Sequence, residues 1–289
     1  MMRSLLVFLI FFFPLAAQAE KITVVASFSI LGDMVHEVAG DTVNIKTLVG
    51  PDGDAHVYEP TPSDVRLLKS ADLVIINGLG FEVWIERLAQ YSGYKGPVVI
   101  ASRGITPLAF NTNSVDPHAW QSLKNGLLYI ANIRDALINA DPANTVLYRK
   151  NAEHYSMRLQ ALDSWVQAQI FTIPESKRRA ITSHDALGYF ADSYGVVFIA
   201  PLGVSTAGDA SAGDIAGLIN QIRKERVRAV FMENMSDARL VRQLATDGGA
   251  VIGGTLYSDA LSSPDGPAPT YIAMFRHNVA TMVKAMKAQ

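Results

Sequence analysis

Four side chains in this sequence stand where chemistry could be built. His56 lies in the loop after the second expected strand, and His118 in the loop after the fourth. His184 directly follows the first strand of the second half, and Asp259, in LYSDAL, follows another. In open α/β sheets, ligands collect outside the carboxyl ends of the strands. Four positions far apart in the chain therefore converge in principle on one cleft. Three imidazoles and a carboxylate make a complete tetrahedral donor set for Zn2+. Their spacing forms no local motif, so placement at strand ends carries the argument.

The remaining polar candidates read differently. His36, His154 and His277 are isolated within helices and are expected to be surface or packed residues. Glu233, in VFMENM, also ends a strand; a structural carboxylate is the preferred reading over a ligand or an acceptor behind one. Asp185 is expected in the first turn of a helix, complementing its dipole. Glu59, Thr61 and Asp64 are expected to organise the loop and helix start after His56. In TSHDALGYFADSYG, Leu187, Phe190 and Tyr194 share one helical face, and Gly195 ends the helix. The positive end of that helix should disfavour imidazolium at His184, and neutral imidazole is the form that binds metal.

These residues need elements to deliver them. Residues 22–27 (ITVVAS) read as a buried parallel strand, followed by a helix around Ile30–Val38 that ends near Gly40. VNIKTLV (43–49), ADLVIING and VVIAS (98–102) are the next strands. Pro62, capped by Thr61, opens a helix through Leu68, and FEVWIERLAQY is another. A loop from Arg103 to Pro117 leads into HAWQSLKNGLLYIANIRDALINA, which begins as loop and continues as helix. Asp141-Pro142 starts a helix unbroken to about Ile170, with Leu147, Ala152, Tyr155, Leu159, Leu162 and Val166 at helical intervals. Such a rod is about 40 Å long. RAITS, VVFIAPL, RAVFMEN and GAVIGGTLYS follow as strands, with helices at 185–194, 212–225, 237–247 and 270–287. This alternation predicts an α/β fold of two lobes, each a mostly parallel sheet flanked by helices, joined by one long rigid spine helix. The expected division is 20–140 for the first metal-binding lobe, 141–171 for the spine and 172–289 for the second.

The opening run MMRSLLVFLIFFFPLAAQAEK has the layout of a secretory signal peptide over 1–19, with cleavage expected after Ala19 and a periplasmic product. With no cysteine in the sequence, neither disulfides nor an acylated-cysteine tether is expected. A net charge of −2 supplies no electrostatic footprint for nucleic acid. Hydrophobic residues make up 49%, which predicts a generous core.

DGDAHVYEPTPSDVRLLKSADLVIINGLGFEVWIERL, DPHAW, TSHDALGYFADSYG, VRAVFMEN and LYSDAL occur in that order. Together they resemble the solute-binding proteins of zinc and manganese ABC transporters, the ZnuA/TroA-like group (cluster A-I), over essentially the whole mature chain. The resemblance implies a metal in the cleft between two lobes, with His56, His118, His184 and Asp259 as its ligands by motif. It also implies delivery to an integral-membrane permease driven by a cytoplasmic ATPase, by a receptor expected to be monomeric; a periplasmic metallochaperone is a further candidate partner. Many zinc members carry a long His- and acid-rich loop before the second ligand. Here FNTNSVDPHAW is short, so no second, loop-based site is expected.

Three histidines with one carboxylate favour Zn2+, while manganese favours more oxygen donors and remains the alternative. Manganese-type members of the resembled group tend to have glutamate where His184 stands. A secreted zinc hydrolase is the rival of another class. It would keep an open position for water, whereas four protein ligands fill the site, and no HExxH, GxSxG or P-loop motif appears. Ser183, His184 and Asp185 are consecutive, unlike a triad assembled through space.

Overall fold

Val24, Val25 and Ala26 of β1 (Thr23–Phe28) are fully buried because their strand has a neighbour on both sides. The computed structural model describes residues 20–288 except 113, 209, 210 and 226; the expected signal segment 1–19 lies outside the described residues. β2 (Asn44–Val49), β3 (Leu73–Ile76) and β4 (Val98–Ile100) complete a sheet in the order β2-β1-β3-β4, with every pairing parallel. Right-handed crossovers are the rule for such pairings, and the connecting helices are α1 (Ser29–Ala39), α2 (Pro62–Lys69) and α3 (Ile85–Ser92). Pro62 opens α2 as expected, and Asp64 reaches back to accept from the Thr61 backbone N–H at 2.7 Å. Tyr58 Oη donates to the same oxygen at 2.8 Å, which pins the loop after His56. Glu59 is exposed.

A short antiparallel pair, β5 (Ala109–Asn111) with β6 (Ser114–Val115), occupies what was expected to be plain loop. α4 (Leu123–Ala140) then returns to α5 (Thr145–Phe171) through a single 3-10 turn at Pro142–Asn144. α5 has 27 residues. Its buried seam is Tyr148, Ala152, Tyr155, Leu159, Leu162, Val166 and Ile170, at spacings of three to four. Tyr148 takes the place expected for Leu147, and its hydroxyl donates to Asp141 at 2.6 Å.

Beyond α5, β7 (Arg179–Ile181), β8 (Val197–Ile199), β9 (Ala229–Glu233) and β10 (Val251–Leu256) form a second parallel sheet in the order β10-β9-β7-β8. α6 (Gly188–Tyr194), α7 (Ala212–Glu225), α8 (Ala238–Gly248) and α9 (Tyr271–Lys287) flank it. α9 crosses to α5 and α1, where the Tyr271 N–H donates to Asp33 at 2.8 Å. One apolar cluster consequently runs from β1 through α4, α5 and α9 into β9, and a smaller one lies beneath α7 and α8.

Two helices start later than the sequence predicts, for one reason. α3 begins at Ile85 rather than Phe81 because Glu82 turns inward to accept from the N–H of Asn77 and of Gly78. α6 begins at Gly188 rather than residue 185 because the intervening backbone is bonded elsewhere: the Asp185 N–H donates to Gly203 O at 3.0 Å. Asp185 is therefore not a first-turn helix residue.

Since α5 is packed into both ends of the main cluster, truncating it should be felt throughout. Leu159→Ala is expected to cost about 2–5 kcal/mol, read as a lower midpoint in urea unfolding followed by far-UV circular dichroism.

Candidate metal centre

The carboxyl ends of both sheets meet at one point. His56 follows β2, His118 lies beyond β4 just after the β5–β6 pair, His184 follows β7 and Asp259 follows β10. The structure brings all four together: one ligand atom from each lies within 4.8 Å of the others. His56 Nε2 is 3.2 Å from His118 Nε2 and 3.3 Å from Asp259 Oδ2. His184 Nε2 is 2.9 Å from Asp259 Oδ2, and His118 Nε2 is 3.6 Å from Asp259 Oδ1. His118, His184 and Asp259 are wholly buried and His56 is nearly so. His36 and His154 are exposed, and His277 bonds Thr255 O away from the cluster.

Each donor is held by identifiable partners. The Trp84 indole N–H donates to Ala55 O at 2.8 Å, and Asp54 accepts from the His56 N–H at 2.9 Å, fixing the loop on both sides. Phe81 lies edge-on to the His56 ring, with centroids 4.7 Å apart. Asp116 Oδ1 accepts from both the backbone N–H and the Nδ1–H of His118, at 2.9 and 2.7 Å. An acceptor at Nδ1 turns Nε2 toward the cluster and increases its basicity. The Asp259 loop is gripped from the first half of the chain, where Trp120 Nε1 and Gln121 Nε2 both donate to Ser258 O.

Glu233 stands directly behind His184, the reading that the sequence ranked below a purely structural carboxylate. Its Oε1 accepts from the N–H and Oγ of Ser183 and from the His184 N–H, at 2.8, 2.6 and 3.1 Å. Its Oε2 lies 2.9 Å from His184 Nδ1, off the line of an N–H···O bond, so that Nδ1 has no aligned acceptor. Asp259 Oδ1 is likewise buried with no hydrogen-bond partner. An orphaned oxygen on a carboxylate that faces three imidazoles is what a cation would satisfy. An open groove lined by Leu79, Gly80, Val83, Val115 and Val204 leads down to His56.

Charge in this pocket runs against the expectation for His184. Burial draws its pKa down, but the charges of Glu233 and Asp259 outweigh that and hold it well above the ordinary value. α6 starts too far along the chain to oppose them. His118 follows the same logic: burial is overcome by Asp259 and Asp116, and its pKa is pushed up to about 9. Burial alone would raise Asp259, yet the neighbouring imidazolium charges of His184 and His118 hold it well below the carboxylate range.

Sequence reasoning missed Asp116, Asp54 and the Trp120–Gln121 grip. The motif DPHAW contained a signal for the first, since an Asp two residues before a histidine can reach both its backbone and its ring. Asp54 stands two residues before His56 in the same way and accepts its backbone N–H, so the same signal was present there; the sequence hid only Thr206 Oγ1, remote in the chain, which donates to the other Asp54 oxygen at 2.7 Å.

Comparison with known proteins is informative along most of the chain. Residues 24–285 match the family described as zinc-uptake complex component A, periplasmic. The iron-binding protein YfeA of Yersinia pestis is 35% identical over 272 residues, covering 92% of this chain and 86% of that protein. The manganese-binding lipoprotein MntA of Halalkalibacterium halodurans is 34% identical, with 92% and 89% covered. Among solved structures, the periplasmic zinc binding protein TroA of Treponema pallidum superposes with a TM-score of 0.89 at 32% identity, covering 92% of this chain and 99% of that one.

An ion that binds these imidazoles must displace their protons. Because the His118 pKa is raised from 6.5 to about 9, its proton stabilises the metal-free fold fully below about pH 6.5, and that contribution is lost as pH climbs through about 9. Metal affinity should therefore rise with pH across the same window. Calorimetric titration at pH 7 in two buffers of different ionisation enthalpy should show at least one proton released per ion; none released would contradict this charge arrangement.

Proposed function

This chain belongs to the family of the periplasmic zinc-uptake component A, metal-binding substrate receptors of ABC transporters rather than enzymes, and from that premise we propose that it captures Zn2+ through His56, His118, His184 and Asp259. Receptors of this kind work with a membrane permease and its ATPase; here the cargo would be handed to the permease of a zinc importer. The proposed setting is the periplasm, reached by cleavage after Ala19, with a metallochaperone as a candidate donor. Residues 20–140 and 172–289 are taken as the two lobes that contribute two ligands each, on either side of the spine at 141–171.

One observation carries the choice of metal. Zinc–nitrogen bonds of roughly 2.0–2.1 Å give a tetrahedron with edges of about 3.3 Å. The separations of 3.2 Å for His56–His118 and 3.3 Å for His56–Asp259 are close to such edges, while His184–Asp259 at 2.9 Å would have to open slightly. Three nitrogens and one oxygen also suit zinc better than manganese. A second reading, Mn2+, is favoured by the unpartnered Asp259 Oδ1, which could add a further oxygen donor. The relatives named for iron and manganese keep that reading in play.

Metal-stripped protein titrated with Zn2+ and with Mn2+ separates the two. Zinc is expected to bind one equivalent, displace manganese, and raise the melting temperature. At a free concentration 1,000 times Kd the added stability is about 4 kcal/mol. Preferential retention of manganese would transfer the assignment to the second reading, and no melting shift with either ion would sink the site. His184→Ala should weaken zinc by more than the roughly 10–100-fold typical of a lost supporting residue. His154→Ala should leave binding unchanged.

A further inference from the structure

Gly188 opens α6 in the second half of the chain, yet it abuts Asp116, which precedes His118 in the first half. A Cβ placed on Gly188 would lie 2.4 Å from Asp116 Oδ2 and 3.6 Å from its Cγ. The first distance is far inside any non-bonded contact. Nothing else calls for glycine here. Its φ is not in the left-handed region, and alanine is the better helix former. Proximity to Asp116 is the remaining physical reason for the missing side chain.

Asp116 has little freedom to move aside. It is 4% exposed, and its Oδ1 holds both N–H groups of His118. Its own N–H donates to Leu108 O at 2.9 Å, and its carbonyl accepts from Tyr189 Oη at 3.1 Å. The Leu108 N–H in turn donates to the same tyrosine oxygen at 3.0 Å. α6 thus grips the backbone around Asp116 through Tyr189, while Gly188 lets the helix close on the carboxylate itself. An oxygen displaced by a new methyl group has to rotate the carboxylate away from the His118 ring.

We propose that Gly188 is a positioning residue for metal binding, through which the seating of α6 sets the aim of the His118 ring by way of Asp116. The inference rests on His118 being a ligand. It links the two halves of the site in a defined way: a shift of α6 away from the first half removes the buttress behind Asp116, and the aim of His118 relaxes with it.

The test is a double-mutant cycle on zinc affinity with Gly188→Ala and Asp116→Ala. Gly188→Ala should lower affinity by about 10–100-fold, as expected when a ligand loses its supporting partner, with a lowered melting temperature of the metal-free protein because buried bonds are broken to relieve the overlap and an unchanged far-UV circular dichroism spectrum. In the Asp116→Ala background, where the clashing carboxylate is gone, the same change should cost nothing further. Unchanged affinity in Gly188→Ala, or an equal loss in both backgrounds, overturns the proposal and makes the glycine merely structural. If Gly188→Ala alone fails to fold, the double variant decides, since it should fold and bind like Asp116→Ala. In metal-free protein the His118 Nδ1–H resonance should also shift on Gly188→Ala. His118→Ala, measured alongside, separates the two levels. Undiminished zinc binding there would remove the ligand assignment itself, whereas a large loss there with a neutral Gly188→Ala removes only the positioning role.

Discussion

A carboxylate with no access to solvent, facing three imidazoles, is the interaction around which this molecule is arranged. Asp259 is 0% exposed, and its Oδ1 has no hydrogen-bond partner. A buried charge in that position is tolerable only with opposite charge beside it. In the metal-free protein protons supply that charge, which is why His118 and His184 are held protonated while Asp259 is driven the other way. A divalent cation can replace those protons without altering the cast. The pocket therefore carries the same net charge in both states, and exchanging protons for metal needs no rebuilding of the core.

Keeping such a pocket assembled requires acceptors for the far side of each ring and restraints on each loop. Asp116 backs His118 through an aligned bond, whereas Glu233 backs His184 mainly by charge, with its hydrogen bonds taken up by the Ser183 and His184 backbone N–H groups and by the Ser183 and Ser258 hydroxyls. That backbone leaves β7 just before α6, so Glu233 fixes where His184 emerges more firmly than how its ring turns. The restraints also cross between halves of the chain: Trp120 and Gln121 hold Ser258 O, Thr206 holds Asp54, and the Asp52 N–H donates to Leu261 O at 2.9 Å.

How far all this could be read in advance depended on the range of the interaction. Strands such as TVVASF and the α5 seam announce themselves through local periodicity, and the four donors through their places after strands. The β5–β6 pair did not, because strands of two and three residues with Phe110 partly exposed show no alternation. The late starts of α3 and α6 were hidden because Glu82 and Asp185 look like ordinary first-turn acids until Ser27 Oγ, which donates to Glu82, and Gly203 O, which accepts from the Asp185 N–H, are known. The protonation of His184 was misjudged for the same reason. A nearby helix end was visible in the sequence, while the two carboxylates that overrule it come from β9 and from the loop after β10.

The long helix and the cross-chain bonds together constrain how the site can let go of an ion. One face of α5 is buried along the length of the helix in the main apolar cluster, which also takes in residues of β1, α4, α9 and β9. Wide rotation of one half against the other would have to break that cluster, at a cost set by many buried side chains. The contacts around the pocket are of another kind: single hydrogen bonds from loop residues, each worth about 0.5–1.5 kcal/mol net. Small displacements of α6 or of the loop at 202–208 undo several of them while leaving the α5 seam intact. Release by local loosening of the ligand loops is thus the cheaper route through this architecture, and a rigid spine is compatible with a receptor that must still give up its cargo.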